Sequence, residues 1–201
     1  MRLTSYIADG KPGYGIVTDD ATLIDLAGRL SYPDLKALIA ARPLSELIEE
    51  VQAATHNRAG DHALADVTLL PPIPNPEKIW CIGVNYADRN AEYKDGSNVP
   101  KYPSLFCRTP GSVVGHGVPL ERPKVSEQLD YEGEIVLVIG REGRHIPRDR
   151  AHEHIFGLTL CNEGSVRDWL HHGKFNVTQG KNFDRSGSIG PWVVTADTLD
   201  L

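Results

Sequence analysis

The chain has 201 residues, 40% of them hydrophobic and 24% charged, a composition typical of globular proteins that excludes a disordered, collagen-like or coiled-coil chain. Its 27 acidic and 21 basic residues give a formal net charge of −6, the reverse of the basic excess expected of a nucleic-acid-binding protein. With no apolar run of about 18 residues and no apolar core of a secretory signal, we expect neither a membrane span nor secretion.

Turn residues and short apolar runs dominate the first thirty residues, which predicts strands over 2–8, 14–18 and 22–26. Apolar residues then recur at spacings of three and four, which predicts helices interrupted at Pro43. Four prolines within residues 69–76 indicate a stiff linker. We therefore predict a small α/β amino-terminal domain at 1–70, a linker at 71–77 and a second domain at 78–201.

The second domain is predicted to be β-rich, so the fold class is α+β. Its predicted strands are 78–84, 104–107, a buried strand at 134–139, 156–161 and 192–195, with a loop and short helix at 85–93 and a helical segment at 165–171.

Three cysteines, Cys81, Cys107 and Cys161, form no CxxC pair. Such a sparse, odd number is typical of a reducing cytoplasm rather than of a disulfide framework. Each cysteine adjoins an apolar residue, so we interpret all three as small buried side chains.

Two glutamates, Glu132 and Glu134, stand at i and i+2 where an apolar strand begins. On a strand this spacing places both carboxylates on one face. Like charges at the start of a buried strand repel each other unless a cation or a base lies between them. The alternative is a strand end with two solvated glutamates.

A third acid, Glu163, follows the next apolar strand. Three carboxylates at adjacent strand ends form a hard oxygen site suited to Mg²⁺, Mn²⁺ or Ca²⁺. A 2-oxo acid or 1,3-dicarbonyl compound would chelate such a cation, which would stabilise its enolate.

Several basic residues and histidines can be interpreted either as site residues or as ordinary surface residues. Lys181 could stabilise an oxyanion, or lie in a solvated loop. Arg167 and Arg108 could each bind a substrate carboxylate, or pair with a surface acid. His116, between two glycines, is the histidine best placed to line a pocket. The pairs His152/His154 and His171/His172 are interpreted as polar surface, because neither has a third spaced ligand.

Residues 78–195 resemble the fumarylacetoacetate hydrolase superfamily. The stretches that carry the resemblance, in the family's order and spacing, are CIGVNYADRNAEY, SLFCRTP, LDYEGEIVLVIGREGRHI, GLTLCNEGSVRDW and QGKNFDRSGSIGPWVVT. The resemblance implies a mixed β-roll catalytic domain, a bound Mg²⁺ or Mn²⁺ and a homodimer. It also implies hydrolysis of carbon–carbon bonds in acylpyruvates and β-diketo acids, as in the catabolism of aromatic compounds, or decarboxylation and isomerisation of oxo-diacids.

Carried over by position, the resemblance makes Glu132, Glu134 and Glu163 metal ligands. Arg167 and Lys181 match substrate-contacting residues, and Glu92 matches the acid of the histidine–glutamate dyad that activates water.

The chain departs from the family pattern in three ways. Glu163 stands where aspartate is usual. Arg89 stands where the hydrolases place the dyad histidine, and arginine cannot act as a base at neutral pH; Arg89 could instead bind a distal carboxylate, with Glu92 as the base. Family members continue beyond residue 201, so we expect the catalytic domain to be truncated.

The leading hypothesis is a cytoplasmic, metal-dependent hydrolase of a 2-oxo or β-diketo acid. A decarboxylase or isomerase (tautomerase) of an oxo-diacid is the first alternative, because neither reaction needs an attacking hydroxide. A catalytically silent metal-binding homologue is the second. The expected ligand is a small oxo acid, with no nucleic-acid or membrane partner.

Overall fold

The amino-terminal strands form an antiparallel meander in a computed structural model that describes residues 1–85, 102–172 and 176–200. β1 (Arg2–Ala8), β2 (Lys11–Val17) and β3 (Thr22–Asp25) pair in sequence order. The turn between β1 and β2 uses Asp9 and Gly10, both with positive φ, a conformation that glycine adopts without strain. The three predicted strands are confirmed.

Two helices cover one face of this sheet, α1 (Leu35–Ala41) and α2 (Leu44–Thr55). The Asp34 carboxylate caps α1 by accepting a hydrogen bond from the Ala37 amide at 2.7 Å. The chain is extended at Arg42 and α2 begins after Pro43, as predicted. Their buried residues share one core with side chains from both halves of the chain: Leu3, Leu35, Leu38, Leu47, Val51, Val138, Phe156 and Val193.

The remaining strands have two to five residues before residue 133, and three of the four after it have seven to nine. They are β4 (His62–Ala63), β5 (Thr68–Leu69), β6 (Ile79–Gly83), β7 (Ser104–Arg108), β8 (Val113–Val114), β9 (Leu129–Asp130), β10 (Gly133–Ile139), β11 (Ile155–Asn162), β12 (Ser165–Val166) and β13 (Gly187–Thr195). A one-turn helix, α3 (Thr178–Lys181), and 3₁₀ turns at Leu64–Asp66, Pro110–Ser112, Arg148–His154, Arg167–His171 and Ala196–Thr198 complete the described elements. The predicted β-rich α+β fold is confirmed.

One nine-stranded sheet joins strands from both sides of the proline-rich segment 71–77. Its order is β10–β11–β13–β1–β2–β3–β4, with β5 also on β1 and β8 also on β13. Two small sheets, β6–β7 and β9–β12, lie outside it. The predicted division into domains at 71–77 stays a prediction. Strands from the two sides of that boundary are joined directly, because β1 pairs with β13.

One local prediction is wrong and another holds only in part. The sequence predicts a buried strand at 134–139, but only one face of β10 is covered: Val138 is 8% exposed, whereas Ile135 and Leu137 are 65% and 53% exposed. A run of apolar residues does not reveal whether one or both faces of a strand are covered. The predicted helical segment 165–171 holds for Arg167–His171, which form a 3₁₀ helix, but Ser165 and Val166 pair with β9 and form the strand β12.

No helix in the described part of the chain is long and apolar enough to cross a membrane.

Candidate metal centre

Strand pairing brings the three glutamates together. β10 and β11 run antiparallel, with Gly133 opposite Asn162 and Glu134 opposite Cys161. The start of β10 therefore meets the end of β11, and the Glu163 amide donates to the Glu132 carbonyl oxygen at 2.8 Å. One carboxylate oxygen from each of Glu132, Glu134 and Glu163 lies within 4.8 Å of the others. The structure thus assembles the predicted acidic group.

Lys181 bridges two of these carboxylates. Its ammonium lies 2.7 Å from Glu132 Oε2 and 3.0 Å from Glu163 Oε2. Lys181 and Glu163 are buried, at 4% and 6% exposed. Lys181 is therefore an interior residue of the site, and the interpretation as a solvated loop lysine is wrong.

The position of Lys181 depends on close packing of α3. A Cβ on Gly180 would lie 2.5 Å from the Leu170 side chain and 2.8 Å from the Val166 carbonyl oxygen. Glycine at this position therefore allows α3, which ends at Lys181, to pack directly on the turn Arg167–His171. The Phe106 ring is 5.2 Å from the ammonium on another side.

Arg167 and Ser165 hold the other oxygen of Glu132. Arg167 Nη1 donates to Glu132 Oε1 at 2.7 Å, and Ser165 Oγ donates to the same oxygen at 2.8 Å. Arg167 Nε also donates to Asp130 Oδ2 at 2.9 Å. Burial acts to raise the pKa of Glu132, but Lys181, Ser165 and Arg167 outweigh it and hold that pKa below its ordinary value. Glu132 is therefore ionised at neutral pH.

Arg108 lies behind the cluster and is 3% exposed. Its guanidinium donates to Ser112 Oγ, the Gly164 and Ser112 carbonyl oxygens and Ser186 Oγ, at 3.0–3.2 Å. The predicted contact of Arg108 with substrate stays a prediction, and most of its donors are engaged by the protein itself.

Sequence reasoning missed the proximity of two thiols to the cluster. Cys161 is the cross-strand partner of Glu134. Burial raises the pKa of the Cys161 thiol to about 12; the negative charges of Glu163 and Glu134 also raise this pKa, and the positive charge of Arg108 lowers it. Burial and a hydrogen bond to Glu163 also raise the pKa of the Cys81 thiol. For Cys161, the two-residue spacing from Glu163 in the sequence indicates that the two side chains lie near each other. Cys107 is exposed, so the prediction that it is buried is wrong.

His116 lines an open pocket of about 420 Å³, as predicted. The pocket adjoins the cluster at Glu134 and is bordered by Leu160 and Pro191. His152 and His172 are exposed, in agreement with a polar surface. Arg89 and Glu92 lie outside the described residues.

The donor set of the cluster fits a hard divalent cation. All three donors are carboxylates, the ligands preferred by Mg²⁺, Mn²⁺ and Ca²⁺ rather than by soft metals. The Glu163 carboxylate belongs to this group of three, so the extra methylene relative to the family's usual aspartate does not displace it from the site. The assignment of the three residues as ligands stays a prediction.

Family comparison agrees with the resemblance seen in the sequence. The model of the fumarylacetoacetate (FAA) hydrolase carboxyl-terminal domain matches residues 78–201, more than half of the chain. The chain belongs to the fumarylacetoacetate hydrolase family.

Solved structures of this family share the fold. Fumarylacetoacetate hydrolase from the psychrophile Exiguobacterium antarcticum superposes with a TM-score of 0.80 at 31% identity, over 100% of this chain and 68% of that one. The 5-carboxymethyl-2-hydroxymuconate delta-isomerase of Mycobacterium smegmatis superposes with a TM-score of 0.70 at 26% identity, over 100% and 68%.

Curated relatives carry the name oxaloacetate tautomerase. The mitochondrial fahd2 protein of Xenopus laevis is 40% identical over 138 residues, which are 67% of this chain and 42% of the relative. YisK of Bacillus subtilis is 39% identical over 141 residues, or 69% and 46%. The chain spans less than half the length of these relatives.

Proposed function

We propose that this member of the fumarylacetoacetate hydrolase family interconverts the keto and enol forms of an oxo-diacid such as oxaloacetate. The observation that carries the proposal is the buried Lys181 ammonium in contact with Glu132 and Glu163. The names of the relatives and the residue at position 89 favour tautomerisation over hydrolysis.

Lys181 is suited to stabilise an oxyanion. Its amine nitrogen is held by two carboxylates at 2.7 and 3.0 Å, so it is fixed beside the proposed metal position. A donor fixed in advance beside a developing negative charge stabilises that charge without reorganisation. A divalent cation bound by the three glutamates would supply Lewis-acid stabilisation of the same oxygen.

Arg89 favours a reaction that consumes no water. Hydrolysis requires a base to activate water, and the guanidinium that replaces the dyad histidine stays protonated. Tautomerisation moves one proton from the carbon next to the keto group to the keto oxygen, so a single group that accepts the proton at carbon and returns it to oxygen suffices. We assign this transfer to Glu92.

The charges of the described cluster favour an anionic substrate. Four carboxylates, those of Glu132, Glu134, Glu163 and the Asp130 that pairs with Arg167, stand against the three cations Lys181, Arg167 and Arg108. A divalent ion would then leave one positive charge, which a carboxylate of the oxo acid would neutralise. Arg167 pairs with Asp130 and Glu132, but its side chain is 25% exposed, whereas Arg108 is buried; we therefore assign Arg167 to a carboxylate of the substrate.

The test is the rate of keto–enol interconversion of oxaloacetate, followed by the absorbance of the enol. We expect Mg²⁺- or Mn²⁺-dependent acceleration above the rate with the metal alone, without loss of CO₂. Lys181→Met should remove the acceleration, whereas Lys36→Met, which changes a partly exposed lysine paired with Glu77, should keep it. Release of CO₂ in step with turnover would replace tautomerisation with decarboxylation, and no acceleration would favour a silent homologue.

Hydrolysis of an acylpyruvate is the second candidate, favoured by the named hydrolase among the similar structures. Cleavage to pyruvate and a carboxylate that contains solvent oxygen would establish it and contradict the tautomerase proposal. Activity that appears only in Arg89→His would show that the dyad histidine is the missing group.

We further propose a homodimer in a reducing compartment, on the basis of the family resemblance and the free cysteines. A solution mass of twice 22.1 kDa would support the dimer.

A further inference from the structure

A buried arginine lies next to the acidic cluster and, within the described part of the chain, forms no hydrogen bond to a carboxylate. Arg108 ends β7 and is 3% exposed. Among the described residues its four hydrogen bonds go to hydroxyl and carbonyl oxygens rather than to a carboxylate. A buried guanidinium is costly unless it is fully hydrogen-bonded or serves a nearby negative charge.

The acceptors of Arg108 lie on three separate segments. Ser112 precedes β8, Gly164 follows Glu163 directly, and Ser186 precedes β13. Gly164 is already in close contact with Ser186, since a Cβ on Gly164 would lie 1.8 Å from the Ser186 carbonyl oxygen. One planar guanidinium therefore fastens the backbone on the carboxyl side of Glu163 to the two neighbouring segments.

The other side of Glu163 is fixed by β-type pairing. Its amide donates to the Glu132 carbonyl oxygen at 2.8 Å, while Arg108 Nη1 binds the next carbonyl oxygen at 3.0 Å. The direction in which the Glu163 side chain leaves the backbone is set by these two bonds together.

We propose that Arg108 is a positioning residue that holds Glu163 in place as a metal ligand, rather than a residue that binds substrate. This inference rests on the proposed function insofar as the three glutamates bind a divalent cation. Groups that orient metal ligands typically change metal affinity by 10- to 100-fold when they are removed.

The direction in which loss of Arg108 changes Mn²⁺ affinity distinguishes two roles for this residue, holding Glu163 in place or only repelling the cation by its charge. If Arg108 acted only through its charge, Arg108→Gln would tighten Mn²⁺ binding, because a positive charge near the carboxylates would be lost. If Arg108 anchors Glu163, Arg108→Gln weakens binding in spite of that loss. We expect a dissociation constant at least about tenfold larger, measured on the full chain from the electron paramagnetic resonance signal of free Mn²⁺.

Two further variants complete the test. Arg108→Lys keeps the charge but lacks the planar fork of donors, so it should also bind Mn²⁺ more weakly than the wild type. Arg29→Gln removes a guanidinium that pairs with Asp61, away from the cluster, and should leave Mn²⁺ affinity unchanged. Wild-type affinity in either Arg108→Gln or Arg108→Lys would overturn the inference.

A milder variant covers the case in which Arg108→Gln does not fold. Ser186→Ala removes one acceptor of Arg108 and should weaken Mn²⁺ binding by a few-fold while the circular dichroism spectrum stays unchanged. Unchanged affinity in a folded Ser186→Ala variant would contradict the anchoring role. Failure of the wild type to bind Mn²⁺ would instead overturn the metal centre of the proposed function, so the two failures are distinguishable.

Discussion

Lys181 is the single residue on which the proposed chemistry depends most. Its ammonium contacts Glu132 and Glu163, two of the proposed metal ligands, and the proposed mechanism uses it as the donor to the enolate oxygen. We predict that Lys181→Met lowers turnover by about 100-fold or more, while Mn²⁺ binding is retained or tightened because a neighbouring positive charge is removed. The check is a steady-state assay together with a Mn²⁺ titration. Wild-type turnover in Lys181→Met would refute the assigned role.

Glu132 provides a pH-dependent contribution to stability. Its pKa is held below the ordinary value of 4.5, so its ionised form favours the folded state at higher pH, and this contribution is lost as the pH falls through the lowered pKa. Without metal, the free energy of unfolding of the wild type should therefore fall more steeply below about pH 4.5 than that of Glu132→Gln. Urea unfolding in EDTA at a series of pH values measures the difference. Parallel curves would show that Glu132 makes no such contribution.

The sequence predicts the orientation of Glu132 and Glu134 but not the burial of Arg108. The common direction of Glu132 and Glu134 follows from the two-residue period of a strand. The burial of Arg108 does not, because its acceptors at 112, 164 and 186 are hydroxyl and backbone groups that leave no pattern near position 108.

At the scale of elements, the register of β10 against β11 decides where Glu163 lies. The pairing of Gly133 with Asn162 fixes the backbone at the end of β11, so the length of the side chain at 163 determines how far its carboxylate reaches. The sequence predicts both strands and the acid after the second one, but the register appears only when the strands are paired.

Glu163→Asp tests that geometry by introducing the family's usual residue. The carboxylate would retract by about 1.5 Å, the length of one carbon–carbon bond, on a backbone that the register keeps in place. We predict weaker Mn²⁺ binding by about tenfold, with Glu153→Asp, at an exposed position that pairs with Arg150, as the matched control. Equal or tighter binding by Glu163→Asp would mean that the backbone adapts to the shorter side chain.

At the scale of the whole molecule, the main sheet crosses the boundary at which the sequence predicts two domains. Leu3 on β1 pairs with Val193 on β13, and both belong to the core that contains α1 and α2. A pairing across about 190 residues leaves no local signal, whereas the proline-rich segment between the halves gives a strong one. The composition of a linker predicts where the chain is stiff, but not whether the parts on each side pack together.

Residues 78–201 expressed alone provide the corresponding test. Without β1 the β13 edge and the apolar residues Phe156 and Val193 would be uncovered, so we predict a fragment that aggregates or lacks a cooperative unfolding transition. Co-expression with 1–77 should restore a folded complex, as measured by thermal unfolding followed by circular dichroism. A fragment 78–201 that unfolds cooperatively by itself would instead support the predicted independent domains.

The pairing of β1 with β13 also affects how a protease digest of this protein should be interpreted. Asn75 is exposed within the proline-rich segment, while Leu70 and Pro72 on its amino-terminal side are hydrogen-bonded to Ser5. A single cut near Asn75 would give two bands after boiling in detergent, yet the nicked molecule would elute from a sizing column as one particle. The two bands would then reveal an accessible peptide bond rather than two separable modules.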